Sequence, residues 1–111
     1  MDRKLEHIEY NKSTEQLAQF AKALAHPTRI AILKYLKEQS CCFTGDLVDI
    51  FPLAQSTISQ HLKELKNADL IQGELNPPKI KYCINQKKWQ LAQELFNDFF
   101  TSFNSQLNCK I

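Results

Sequence analysis

Residues 55–70 read QSTISQHLKELKNADL, and how this stretch is read decides the fold. At 3.6 residues per turn, Ile58, Leu62 and Leu65 fall on one stripe of a helix. Ser56, Thr57, Gln60, Lys63, Glu64 and Asn67 lie opposite, with Ser59 and His61 on the two flanks. The outward face does not begin with the Lys/Glu mixture of a solvated helix. Its first two turns are uncharged donors and acceptors, the groups that read base edges: Gln pairs bidentately with adenine, and Ser or Thr serves either base. Charge arrives later, at Lys63 and Lys66, where phosphates are expected. Taken alone, the stretch equally suits a surface helix whose Ser and Thr satisfy backbone groups.

The flanking segments favour the first reading. Upstream, TEQLAQFAKALA places Leu17, Phe20, Ala21 and Leu24 at helical spacing and stops at His26-Pro27, where proline suits the first turn of a new helix. TRIAILKYLKE follows, with Ile30, Leu33 and Leu36 inward. In CCFTGDLVDIFP, Thr44 is positioned to cap a short helix carrying Leu47, Val48 and Ile50, closed by Pro52. Downstream the period becomes two: Ile71, Gly73 and Leu75 alternate with Gln72 and Glu74, and Ile80, Tyr82 and Ile84 with Lys79, Lys81 and Cys83. Asn76-Pro77-Pro78 separates the two runs, which predicts a hairpin. Two helices joined by a four-residue turn, then a hairpin, make a winged helix-turn-helix. The fold expected is mainly α with a small β-hairpin, in one domain over 1–111. Its parts are an N-terminal arm (1–13), a recognition helix (54–67), a wing (70–85) and a last helix (86–109).

Composition sets the outer bounds. The 111 residues carry 23% charged and 43% hydrophobic side chains and a net charge of +2, a globular balance. No run approaches the roughly 20 apolar residues of a membrane span, and MDRKLEHIEY is too charged for a secretory signal. A cytoplasmic protein with no membrane partner is expected. Charge is uneven: Gln55 to Gln90 holds six lysines against three acidic residues. Lys79 and Lys81 share the hairpin face opposite its apolar residues, near where phosphates would pass. Arg29 fits either a phosphate contact or an internal cap, and His61 a packing or phosphate role ahead of a metal. With only Gly45 and Gly73, there is no phosphate-binding glycine loop. Nor are there paired carboxylates or a histidine dyad at useful spacing, so an enzyme is not expected.

LAHPTRIAILKYLKE followed by LAQSTISQHLKELKNADLI resembles the ArsR/SmtB family of bacterial dimeric winged-helix repressors, from about Leu17 to Trp89. The resemblance implies binding to palindromic double-stranded operator DNA, relieved when a metal ion, metalloid or oxidant modifies the dimer. By position it makes Ser56, Thr57, Ser59, Gln60 and His61 the DNA readers and Lys79 and Lys81 the wing contacts. It also implies a homodimer through the first and last helices. The tail agrees, since Trp89, Leu95, Phe96, Phe99, Phe100 and Phe103 make a face too wide for one chain to cover.

Four cysteines in a reducing compartment suggest thiol chemistry ahead of structural disulfides. Cys41 and Cys42 precede the short helix, whose dipole favours a thiolate. Thiolates suit soft metals and trivalent arsenic. Arsenic prefers three sulfurs, so Cys83, on the lysine side of the hairpin, or Cys109, near the C-terminus, would complete the set. Cofactors are not required for DNA binding; arsenite or a soft metal ion is the expected inducer. A thiol redox sensor pairing Cys41 or Cys42 with Cys83 or Cys109 is the alternative, and a winged-helix protein-interaction module another. Against the family pattern the metal site is a variant. Cys42-Phe43-Thr44 replaces a Cys-x-Cys, and the wing has Lys81-Tyr82-Cys83. No histidine of the last helix joins Asp98, and zinc-ribbon spacing is missing.

Overall fold

The computed structural model describes residues 10–76 and 78–101. Helix α1 (Lys12–Ala23) opens at Asn11, whose side chain accepts a 2.9 Å hydrogen bond from the Thr14 N–H. It turns into α2 (Pro27–Gln39), with proline at the first turn and His26 as cap, its Nδ1 accepting from the Thr28 N–H at 3.1 Å. Then come strand β1 (Cys41–Phe43), α3 (Thr44–Ile50), α4 (Gln55–Asn67), β2 (Ile71–Asn76), β3 (Lys79–Ile84) and α5 (Gln86–Thr101). Helix α4 is ended by Asp69, whose φ of 62° is a conformation aspartate tolerates better than most side chains.

Among the described residues the expected helices and hairpin are all present; residues 1–9 of the arm and 102–109 of the last helix, Phe103 included, lie outside them. Strand β1 adds to the expectation, pairing antiparallel with β3 to give a three-stranded sheet of order β1-β3-β2. It also moves the start of α3. Phe43 is the cap residue, Thr44 is already helical, and Asp46 accepts from the Phe43 N–H at 2.9 Å.

The core gathers Phe20, Ile32, Leu36, Leu47, Ile58, Leu62, Leu65, Leu70 and Ile71, each essentially inaccessible. Some stripe assignments shift. Ala21 is exposed and Ala23 buried, Ile32 replaces Ile30 as the innermost residue of α2, and Ile50 faces out. In the wing, Leu75 and Ile80 are exposed although they continue the apolar alternation, whereas Ile71 and Cys83 are buried. The reason is geometric. The base of the hairpin is covered by the helices and β1, and its tip projects beyond them, so alternation predicts burial only at the base.

Candidate nucleic-acid interface and thiol pair

Helix α4 is held by one face and free on the other. Ile58, Leu62 and Leu65 anchor it, and Gln55, Ser56, Thr57, Ser59, Gln60 and Lys63 are exposed. The helix opens at Ala54 with no side-chain cap. Its first N–H bonds, from Thr57 and Ile58, go to the Ala54 carbonyl. The hydroxyls of Ser56 and Thr57 are therefore not serving as the cap. The Gln60 carboxamide donates to Glu64 one turn on, at 3.3 Å.

His61 sits differently. It is half-buried, its ring 4.4 Å from that of His26 at the start of α2. Desolvation, then the neighbouring His26 and Arg29, hold its pKa below the usual imidazole value. This position ties the recognition helix to α2. Arg29 likewise works internally, donating to the Ala23 carbonyl at 3.3 Å and capping α1. Arg29 also reaches the Lys22 carbonyl at 3.5 Å, and Lys22 and Glu64 line a shallow groove between α1 and α4.

The wing faces α4 across an open cleft of about 740 Å³, with Gln55 and Ser59 on one side and Pro78, Lys79 and Ile80 on the other. Lys79 is exposed, its Nζ 5.4 Å from the Phe43 ring centre, and Lys81 is partly buried. Thus Ser56, Thr57, Ser59, Gln60 and Lys63 are all exposed on α4, with Lys79 across the cleft, whereas His61 and Lys81 are each partly buried.

The cysteines are not gathered around one point. Cys41 and Cys83 face each other across β1 and β3 and form a disulfide, Cα atoms 4.0 Å apart. The adjacent pair Ser40–Ile84 is joined by the Ile84 N–H to the Ser40 carbonyl. Cys41 and Cys83 are therefore a non-hydrogen-bonded pair, the kind whose side chains lie closest. Cys42, one residue on, points to the opposite face of the strand and is buried in the core. Burial, with the Asp46 carboxylate adding to it, pushes its thiol up to about 11. This reverses the expectation of a dipole-favoured thiolate there. The helix N-terminus lies close, but loss of water outweighs it. A three-sulfur set containing both Cys41 and Cys42 is not assembled, and Cys109 lies outside the described residues. The described residues hold no cluster of three or more metal-binding side chains, and no described helix is long and apolar enough to cross a membrane.

Comparison with known proteins places this geometry. A family model described as bacterial regulatory protein, arsR family, matches residues 26–72. The HTH-type transcriptional regulator YgaV of Escherichia coli is 35% identical over 75 residues, 68% of this chain and 76% of that protein. The transcriptional repressor PagR of Bacillus anthracis is 30% identical over 97 residues, 87% of this chain and 93% of PagR. Its crystal structure aligns with a TM-score of 0.63 at 28% identity, covering 78% of this chain and 99% of that one. The arsenical resistance operon repressor of Staphylococcus xylosus is 32% identical over 68% of this chain and 71% of its own length.

Proposed function

Since the chain belongs to the ArsR family of bacterial transcriptional regulators, we propose that it acts as a homodimeric, operator-binding repressor whose affinity is set by the thiol state of Cys41 and Cys83. The observation that carries the first half is the division of α4, with three inaccessible anchors on one face and an uncharged hydrogen-bonding surface on the other. In a helix-turn-helix the start of this helix enters the major groove. Ser56, Thr57, Ser59 and Gln60 are then the base readers. Lys63, Lys79 and Lys81 contact phosphate, and His61 sets the helix's seat against α2. The partner is double-stranded DNA, the place of work the cytoplasm, and no enzymatic step is involved.

The disulfide carries the second half. In a cytosolic regulator a disulfide is a transient state more often than a structural one. This one joins the strand that feeds α3 to the inner strand of the wing. Oxidation fixes the wing relative to the reading helix, so less ordering remains to be done on binding. The disulfide form binds operator severalfold more tightly than the dithiol form. Likeness to an arsenical repressor favours arsenite as the signal instead. That reading needs a third sulfur beside Cys41 and Cys83, and Cys42 faces away from them.

Fluorescence anisotropy on DNA from upstream of the protein's own gene tests both halves. The oxidised protein, the reduced protein and the reduced protein with arsenite are each titrated, beside Cys41→Ser. A redox-dependent affinity absent from Cys41→Ser is the expected result. Equal affinity in both redox states, with release by arsenite, would replace the redox signal by the metalloid. Absence of salt-sensitive binding would overturn the repressor reading altogether.

A further inference from the structure

The Cys41–Cys83 bridge lies at the floor of an open depression of about 780 Å³ between the end of α2, strand β2 and the start of α5. Its two sulfurs are unequally placed. Cys41 is partly exposed, and Cys83 is only 7% exposed. A nucleophile entering from solvent therefore meets the Cys41 sulfur first and expels Cys83. The surrounding charges are also unequal: Lys37 from α2 and Lys87 from α5 stand against Glu74 from β2. Trp89, over which the Lys37 ammonium sits at 5.9 Å, forms an apolar wall. The depression falls in the size range of small-molecule sites.

We propose that this depression is a docking site for a small zwitterionic peptide thiol and its disulfide, carrying more carboxylates than ammonium groups, which exchanges with Cys41. The inference rests on the reading of Cys41 and Cys83 as the switch and names the reagent that sets it. In oxidation, the Cys41 thiol loses its proton to solvent and its sulfur attacks one sulfur of the small disulfide. A Cys41 mixed disulfide forms, and the first small thiolate leaves and takes up a proton. Cys83, deprotonated in turn, attacks the Cys41 sulfur, closing the protein disulfide and releasing the second small thiolate. Two protein thiols and one small disulfide become one protein disulfide and two small thiols, with two electrons passed to the small molecule. Reduction is the reverse, opening at Cys41. Lys37 and Lys87 face the carboxylates and Glu74 the ammonium group. Cys42 takes no part, being on the other face of β1 and 4% exposed.

The test uses the reduced full-length protein with glutathione disulfide, the dicationic cystamine and the neutral bis(2-hydroxyethyl) disulfide. Each rate is divided by that reagent's rate on an unstructured cysteine peptide, which removes intrinsic reactivity. Glutathione disulfide is expected to outpace cystamine about tenfold at low salt, the preference fading with added salt as screening shortens the reach of the lysines. Lys87→Glu should reduce the preference. This change leaves the fold intact, because an acidic residue in the first turn of α5 suits the helix dipole. In Cys83→Ser, mass spectrometry should find the mixed disulfide on Cys41. Equal normalised rates, a preference indifferent to salt and to Lys87→Glu, or a mixed disulfide on Cys42 would overturn the site. If the preference is seen but operator affinity is the same in both redox states, the exchange site stands and its role as the switch falls.

Discussion

Gln60 and Lys63 lie on the same exposed face of α4 and should fail differently when changed. The Gln60 side chain can give up its hydrogen bond to Glu64 for a base edge. Gln60→Ala should therefore lower affinity for the operator by about 1–3 kcal/mol and leave scrambled duplex almost untouched. On the proposed reading, Lys63→Ala removes a phosphate contact. Affinity for every duplex should fall, and the slope of log affinity against log salt should decrease in magnitude by about 0.9. Anisotropy on both duplexes across a salt series separates the two. Cys42 makes a different residue-scale prediction. Its thiol ionises near 11 in the folded chain against 9.0 ordinarily. Above pH 9 the unfolded chain loses this proton and the folded chain keeps it, so stability is fully present below pH 9 and is lost as pH rises toward 11. The loss amounts to on the order of 2–3 kcal/mol. Urea unfolding of the reduced protein between pH 8 and 11 should show this decline, and Cys42→Ala should flatten it.

At the scale of elements, α4 was legible from the sequence because a helix declares itself locally: Ile58, Leu62 and Leu65 are four and three residues apart and all are buried. The hairpin was legible for the same reason. Strand β1 was not. Three residues, Cys41–Phe43, are too few to show a period of two, and their partner strand lies some 40 residues further on. The thiol pairing follows from that register, so Cys41 with Cys83 stood in the sequence as one of four pairings of equal weight. Once β1 is in place the choice between Cys41 and Cys42 as the partner of Cys83 is forced, because adjacent residues on a strand cannot share a face. Placing β1 also has an energetic consequence. The disulfide closes a loop with a sequence separation of 42 that contains α3, α4, β2 and most of β3. Loop-closure entropy gives an upper value of about 4 kcal/mol for its stabilisation of the folded chain. Reduction should lower the melting temperature by roughly 10–20 °C. Cys41→Ser should melt like the reduced protein under both oxidising and reducing conditions, measured by circular dichroism.

At the scale of the whole molecule, the single chain is extended rather than round. Its radius of gyration is 17.8 Å, against about 13 Å for a compact domain of 100 residues. Helix α5 packs on α1, yet only Ala92 along its length is buried, and Phe100 remains 69% exposed. Phe100 joins the other two rings, stacking on Phe96 at 6.4 Å and meeting Phe99 edge-on at 5.2 Å, to form an aromatic surface continuous with the core through Phe96. A two-fold mate would bury this surface against its own copy and set two α4 helices on one face of the DNA, a helical turn apart. Phe100→Glu tests the arrangement without disturbing the core, since the side chain lies outside it. The variant should keep the helical spectrum and melt cooperatively, yet sediment as a monomer at micromolar concentration where the parent sediments as a dimer. Its binding to a two-half-site operator should fall to that of a single half-site, because both contacts no longer come from one particle. A variant that stays dimeric and keeps full operator affinity would place the two-fold contact on another surface.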